Sequence, residues 1–191
     1  LNLDREVKGR SFAEVSAAAK KVWDEQMGRI KVEGGTEEQQ KTFYSCLYRT
    51  LLFPREFYEF DKNEAPVYYS PYDGQIHNGY MYTDNGFWDT FRAVHPLFTL
   101  VYPEVSERIM QSIVNAYSES GFMPEWASPG HRGCMIGNNS ISLLTDAWMK
   151  GIRTFDKDKA LEAMLNQTRA RSEEISSVGR DGYAEYDRLG Y

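Results

Sequence analysis

Apolar residues recur at helical spacing along most of the chain, and the recurrences stop at glycines and prolines. Phe12, Val15, Ala19, Val22, Trp23, Met27 and Ile30 fall near one face, which predicts a helix from Ser11 to the break at Gly34-Gly35. Ser11-Phe-Ala-Glu14 has the form of a capping box, in which hydroxyl and carboxylate satisfy the free amides that open a helix. Thr36-Glu-Glu-Gln39 repeats the device for a second helix. That helix turns Phe43, Leu47 and Leu51 inward, with Tyr44 and Tyr48 beside them, and ends at Pro54. A third is predicted from Phe87 to Val101, after Asp84 or Asn85 as cap and interrupted at Pro96. A fourth starts at Pro103, a favoured first position, and stops before Gly121, with Val105, Ile109, Ile113, Val114 and Tyr117 inward. Asn139 caps a helix with Ile141, Leu144 and Trp148 inward, ended by Gly151. Asp156 caps another, with Leu161, Met164 and Leu165 inward. After Arg171 the pattern fades.

Two stretches break the periodicity. Residues 55–84 are rich in Tyr, Pro, Gly, Asn and Asp. Val67-Tyr68-Tyr69 and Tyr80-Met81-Tyr82 read there as short strands around a turn at Asp73-Gly74, one small hairpin. Residues 122–138 form a second ornate loop. Long aromatic loops between good helices carry function more often than packing. The expected fold class is therefore mainly α, paired helices with long aromatic-rich loops at one end, as in an α/α toroid. A bundle or a solenoid gives much the same periodicity, and no internal repeat separates them.

Composition narrows the functional classes. At 41% apolar and 26% charged, 191 residues suffice for one folded domain with a real core. A net charge of −6 argues against a nucleic-acid surface. No apolar run of about 18 residues exists, so no membrane span is expected. Aromatics reach 14%, the one outlier of the composition; most of them fill a core, and aromatics also stack on sugars and line pockets. Cys46 and Cys134 lie far apart without CxxC spacing and read as buried free thiols, a single bridge being the alternative. The opening Leu-Asn-Leu-Asp, without methionine or signal-peptide pattern, reads as a cut made inside a longer protein.

Four stretches hold candidate chemistry. Trp88-Asp89-Thr-Phe-Arg92 places a carboxylate and a guanidinium three apart on a helix, beside a tryptophan. Asp89 can accept from two sugar hydroxyls, Arg92 can donate, and Trp88 can stack on a C–H face. An intrahelical salt bridge beside a core tryptophan explains the same spacing. In Met123-Pro-Glu125-Trp126 a lone carboxyl sits beside an apolar ring. Such a setting raises a pKa towards general-acid use, suits a grip on a sugar hydroxyl, or merely marks a surface Glu after a turn. The run from His131 to Asn139 is glycine-rich without the Lys-Ser/Thr ending of a P-loop, and its polar groups could line the same rim. Tyr72-Asp73-Gly74-Gln75-Ile76-His77 is a further polar loop. His77, His95 and His131 show no zinc-site spacing, no EF-hand is present, and no nucleophile elbow is readable.

Taken in order, Tyr48-Arg-Thr-Leu-Leu-Phe-Pro54, Asp73-Gly74, Trp88-Asp89-Thr-Phe-Arg92-Ala-Val-His95-Pro96-Leu, Met123-Pro-Glu-Trp126, Met135-Ile-Gly137 and Lys150-Gly151-Ile…Phe155-Asp156 resemble the exo-acting α-mannosidases of family 92 of the glycoside hydrolases. The resemblance covers residues 43–156. It implies a β-sandwich followed by an (α/α)6 barrel, calcium dependence, and hydrolysis with inversion, which needs one carboxyl as acid and one carboxylate as base. The family's acid lies in a Gly-Asn-Glu-Pro motif and its base in a Gly-x-Asp-Asp…Gly-Gln motif. Neither occurs in these residues.

On this resemblance the chain is a single helical domain or fragment, residues 1–191, the first part of the barrel, with the sandwich and the catalytic segments absent from it. The expected substrate-binding residues are Trp88, Asp89, Arg92, Glu125, Trp126 and His131, with Glu125 the fallback for a catalytic role. Gly137-Asn-Asn-Ser140 departs from the family's Gly-Asp-His-Ala form, which puts linkage preference in doubt. The implied cofactor is calcium, its ligands outside this chain. The implied partners are α-mannoside glycans, N-glycan or mannan, and the remaining domains of a periplasmic or extracellular parent. The rival reading is a non-catalytic carbohydrate-binding or structural helical module.

Overall fold

The computed structural model describes residues 2–175 and 177–190, so Leu1 and Tyr191, the ends quoted above, lie outside the described residues. The chain is mainly helical and divides into two compact units, Leu1–Phe53 and Pro54–Tyr191.

The first unit holds α1 (Asn2–Val7), α2 (Phe12–Met27) and α3 (Glu37–Thr50). Both capping boxes form. Ser11 N–H donates to the Glu14 carboxylate at 2.7 Å, and Thr36 N–H donates to Gln39 Oε1 at 2.8 Å. The bonds from the Ser11 backbone and side chain hold the Glu14 carboxyl below its usual range. α2 stops at Gly28, six residues before the break expected at Gly34-Gly35. Gly28 is a poor helix former, and its N–H bonds back to Asp24 O at 2.9 Å to close the last turn. Tyr44 Oη then spans the link between the helices, donating to Ile30 O and accepting from Val32 N–H. The expected apolar face of α2 is engaged only towards its end, where Trp23 packs on Tyr48 with ring centroids 4.7 Å apart. Phe12 is 90% exposed, against the inward position expected for it. Cys46 and Cys134 are both free and exposed, which corrects the expected burial.

In the second unit the aromatic segment carries β1 (Arg55–Glu56), β2 (Glu59–Phe60), β3 (Pro66–Tyr69), β4 (Ile76–Asn78), β5 (Tyr82–Thr83) and β6 (Asn85–Gly86). The hairpin exists, with a different second strand from the one expected. β3 pairs with β4, Tyr68 opposite His77, while Tyr82 and Thr83 pair with β1. Tyr82 is drawn away because its N–H donates to Ser112 Oγ at 2.9 Å, on a neighbouring helix.

The remaining elements are α4 (Phe87–Thr90), α5 (Val94–Val101), α6 (Pro103–Ser120), β7 (Trp126–Ala127), α7 (Asn139–Met149), α8 (Lys157–Arg169) and α9 (Tyr183–Leu189). The break between α4 and α5 falls before Val94 rather than at Pro96, which fits within the first turn of α5, where its missing N–H costs no helical bond. α6 is the central rod. It buries Ile109, Met110, Ile113 and Val114 against α5, α7 and α8. Gly121, in the left-handed conformation, closes it as expected. α8 is rotated from the expected face. Ala160, Ala163 and Gln167 are buried, whereas Leu161 and Leu165 are 57% and 46% exposed. α8 packs on α6. α9, too short for a periodic signal, went unforeseen. Its Tyr186 ring lies under Arg180.

Candidate functional site

The strand pair β6–β7 brings two of the sequence motifs together. Asn85 faces Ala127 and Gly86 faces Trp126. The N–H of Phe87 donates to Glu125 O at 3.0 Å. One helical turn then presents Trp88, Asp89 and Thr90. Gly86 lets them converge with the second motif. A Cβ there would lie 2.9 Å from Trp126 Cε3, 3.0 Å from Met135 Cε and 3.2 Å from Asp89 Oδ2.

Asp89 is exposed, and no hydrogen bond or ion pair holds its carboxylate among the described residues. The salt bridge that its spacing from Arg92 allowed is not made. Arg92 instead lays its guanidinium over the Trp88 and Phe91 rings, 4.5 and 4.3 Å from their centroids, and donates to Trp88 O. Trp88 is 43% exposed. An open carboxylate, a stacked guanidinium with free donors and exposed ring surface are the groups that grip vicinal hydroxyls and a sugar's C–H face.

Beneath this surface lies Asn85, a residue that sequence reasoning took only for a possible helix cap. Its Oδ1 accepts from Thr90 Oγ1 at 2.7 Å and meets His95 Nε2 at 3.3 Å. Burial pushes His95 down to about 4, so the ring is neutral and donates through Nε2, while Nδ1 is buried without a partner. No short motif flags this triangle, because its corners are set by the break between α4 and α5.

Glu125 is 1% exposed. Its Oε2 accepts from Asn139 N–H at 2.7 Å and its Oε1 from Ser140 Oγ at 2.9 Å, at the opening of α7. Burial pushes the carboxyl up to about 7, against the lowering pull of the Ser140, Asn139 and Gln167 donors. Asn139 and Ser140, where the chain departs from the resembled family's pattern, thus turn towards Glu125. His131 is half-buried elsewhere on the same loop. Its Nε2 meets Ser120 Oγ at 2.8 Å and its ring meets Tyr72 edge-on. Burial lowers its pKa to about 4. The structure therefore gathers Trp88, Asp89, Arg92 and Trp126, and gives Glu125 and His131 other bonds.

Among the described residues, Asp73, His77 and Glu119 form the one group of metal-capable side chains within mutual reach. Their atoms are already engaged. His77 Nε2 pairs with Asp73 at 2.8 Å, and Glu119 accepts from Ser70 Oγ at 2.6 Å and from Tyr68 Oη. Calcium takes six to eight oxygen ligands. One imidazole and two occupied carboxylates do not fit it, and the cluster instead ties the hairpin to α6.

This is a helical scaffold that presents an exposed Asp–Trp–Arg surface above the buried Asn85 and His95. The profile of the Glycosyl hydrolase family 92 catalytic domain matches residues 1–191, and the chain belongs to that family. Its structure is similar to that of a GH92 inverting mannosidase of Bacteroides thetaiotaomicron, with 72% identity and a TM-score of 0.96 over 100% of this chain and 26% of that one. A GH92 α-mannosidase of the same organism, solved in complex with mannoimidazole, is 30% identical, with a TM-score of 0.83 over 98% of this chain and 24% of that one. An uncharacterized secreted glycosidase of Arthroderma benhamiae is 24% identical over 100% of this chain and 21% of its own length. The chain thus spans about a quarter of the solved relatives and a fifth of the curated one. No described helix is long and apolar enough to cross a membrane.

Proposed function

We propose that this chain supplies part of the terminal-mannose subsite of a calcium-dependent, inverting exo-α-mannosidase that acts on α-mannosides such as N-glycans or mannan. The observation that carries the reading is the open Asp89 carboxylate, which converges with Trp126 over Gly86 and follows the Arg92-covered Trp88 in the chain. Asp89 accepts from two adjacent hydroxyls of the sugar, Arg92 donates to a third oxygen, and the indoles cover its C–H face. An inverting glycosidase needs two carboxyls on opposite sides of the scissile bond. Asp89 serves as ligand, Glu125 is committed to α7, and acid and base come from other segments of the parent enzyme. Calcium, when bound, would draw its oxygens from those segments also, since the Asp73 cluster suits it poorly. Exposed Leu100, Met149 and Leu161, at 81%, 75% and 57%, support a barrel segment whose apolar faces meet further helices of a single helical domain. A secreted relative supports a periplasmic or extracellular parent.

The test is titration of this chain with α-mannobiose, with and without calcium, scoring both binding and release of mannose. Binding without release, weakened about tenfold or more by Asp89→Ala, is expected. Binding that ignores Asp89→Ala would refute the subsite. Release of mannose would place the acid and base within these residues.

A further inference from the structure

The loop that carries Trp126 and Met135 leaves from Glu125 and returns to it. At its start the Glu125 carbonyl accepts from Phe87 N–H, next to the Gly86–Trp126 pairing. At its end the Glu125 carboxylate holds Asn139 N–H and Ser140 Oγ. Asn138, in the position where a helix normally finds its own cap, makes no side-chain cap bond, and its Oδ1 is buried without a partner. Glu125 caps α7 in its place.

The loop needs such a fastening. Met135 sits at φ 112°, a conformation that L side chains rarely adopt and that costs about 1–3 kcal/mol. Gly130 and Gly137 turn the chain at φ 76° and 87°. Arg132 N–H to Trp126 O and Asn139 Nδ2 to Ile136 O shape the loop from within, and the β6–β7 pair, Ser128 Oγ to Asp84 Oδ1 and His131 Nε2 with Ser120 Oγ tie down its first half, so the stretch from Arg132 to Asn138 is left to the Glu125 carboxylate at its end. Met135 Cε nonetheless closes on Gly86, beside Asp89 Oδ2 and Trp126.

We infer that Glu125 is a positioning residue, a buried clasp that joins the start of α4 to the start of α7 and so holds Trp126 and Met135 against Asp89. It touches no sugar. That the clasped surface is a mannose subsite rests on the function proposed above; the clasp itself does not. Glu125→Gln keeps it, since the amide oxygen accepts from Asn139 N–H and the amide nitrogen donates to Ser140 Oγ. Glu125→Ala removes both bonds and leaves an uncapped helix start.

The experiment measures amide hydrogen exchange and α-mannobiose affinity on the 191-residue chain and its variants. In Glu125→Ala, exchange at Asn139 and through residues 126–138 rises about tenfold or more, while Ile113 and Val114 in α6 stay protected. Mannobiose binding weakens about tenfold with it. Glu125→Gln holds both within about twofold. Should Glu125→Ala fail to fold, Ser140→Ala, which removes one bond of the clasp, shows a smaller rise confined to the same amides. Unchanged exchange in Glu125→Ala, or in Ser140→Ala where that variant stands in for it, overturns the clasp. So does a Glu125→Gln variant that loses the sugar with its exchange intact, because the carboxylate would then be a ligand. If the parent chain binds no mannobiose, the proposed function falls and the exchange arm alone decides the clasp.

Discussion

His95 Nε2 meets Asn85 Oδ1 at 3.3 Å in the floor of the site, and the other ring nitrogen has no partner. The same Asn85 oxygen holds Thr90, the residue after Asp89. Asn85→Ala would leave the whole imidazole unsatisfied and leave the Thr90 hydroxyl only the Gly86 carbonyl to donate to. A buried donor left unpaired costs about 1–3 kcal/mol. Urea unfolding should show a loss of about 2 kcal/mol or more, with weaker sugar binding at pH 7. A loss below about 0.5 kcal/mol would mean the triangle is incidental.

Two buried groups, His95 and Glu125, and the half-buried His131 titrate in overlapping ranges with opposite signs. Burial lowers His95 and His131 from 6.5 to about 4, so their stability contribution is present above pH 6.5 and is lost as pH falls towards 4. Glu125 runs the other way. Raised from 4.5 to about 7, it contributes stability that is full below pH 4.5 and lost as pH rises through 7. Among the described residues its hydrogen-bond partners are Asn139, Ser140 and Gln167. Glu125→Gln removes one arm of this balance. Relative to the parent chain, the variant should gain at least about 1 kcal/mol in going from pH 5 to pH 8, because the buried charge no longer forms. Chemical denaturation at both pH values decides it, and a pH-independent difference would sink the assignment.

Gly86 has φ −98°, so alanine meets no backbone penalty there, only the three neighbours of its Cβ. Met135 can swing its methyl aside, but the Trp126 ring and the Asp89 carboxylate must move. Gly86→Ala should cost about 1–3 kcal/mol and shift tryptophan emission. A spectrum and affinity equal to the parent's would show that the convergence over Gly86 is loose.

What could be read from the sequence was local. The Ser11 and Thr36 capping boxes, the Asp156 cap, Pro103 and Gly121 all act within a few residues, and each stands where it was expected. The Trp88–Arg92 and Glu125–Trp126 motifs were also visible, as was the family that the profile match then established. Their meeting across Gly86 was not, because strand pairs of two residues leave no alternation to detect. Nor was the fate of Glu125, whose partners lie 14 and 15 residues away. The face of α8 was misjudged for a different reason. Periodicity favours the bulky Leu161 and Leu165, whereas the face buried in the fold carries Ala160, Ala163 and the polar Gln167, which an apolar pattern does not pick out.

The rotation of α8 is testable by exchange of size. Ala163 is 0% exposed. Ala163→Leu should overpack the α6–α8 contact and cost about 1–3 kcal/mol. Leu161→Ser, on the outer face, should change stability by less than about 0.5 kcal/mol and raise solubility by shrinking an apolar patch. Equal losses in the two variants would contradict the observed rotation of α8.

Arg92 separates stacking from charge. Its guanidinium carbon lies 4.5 Å from the Trp88 ring centroid and 4.3 Å from that of Phe91, and Nη1 donates to Trp88 O, leaving the other donors for an oxygen ligand. Lysine keeps the charge but lacks the plane, and its ammonium is more strongly hydrated. At an exposed site the cation–π contact is worth about 0.5–1 kcal/mol, so Arg92→Lys should leave unfolding within about 1 kcal/mol of the parent. Mannobiose affinity should fall about fivefold or more, because the ammonium lacks the paired N–H groups of the guanidinium fork. Calorimetric titration of the two chains, with unfolding measured on the same samples, checks both halves. Retained affinity would make Arg92 a cover for the indole and leave recognition of the sugar to Asp89 and the tryptophans.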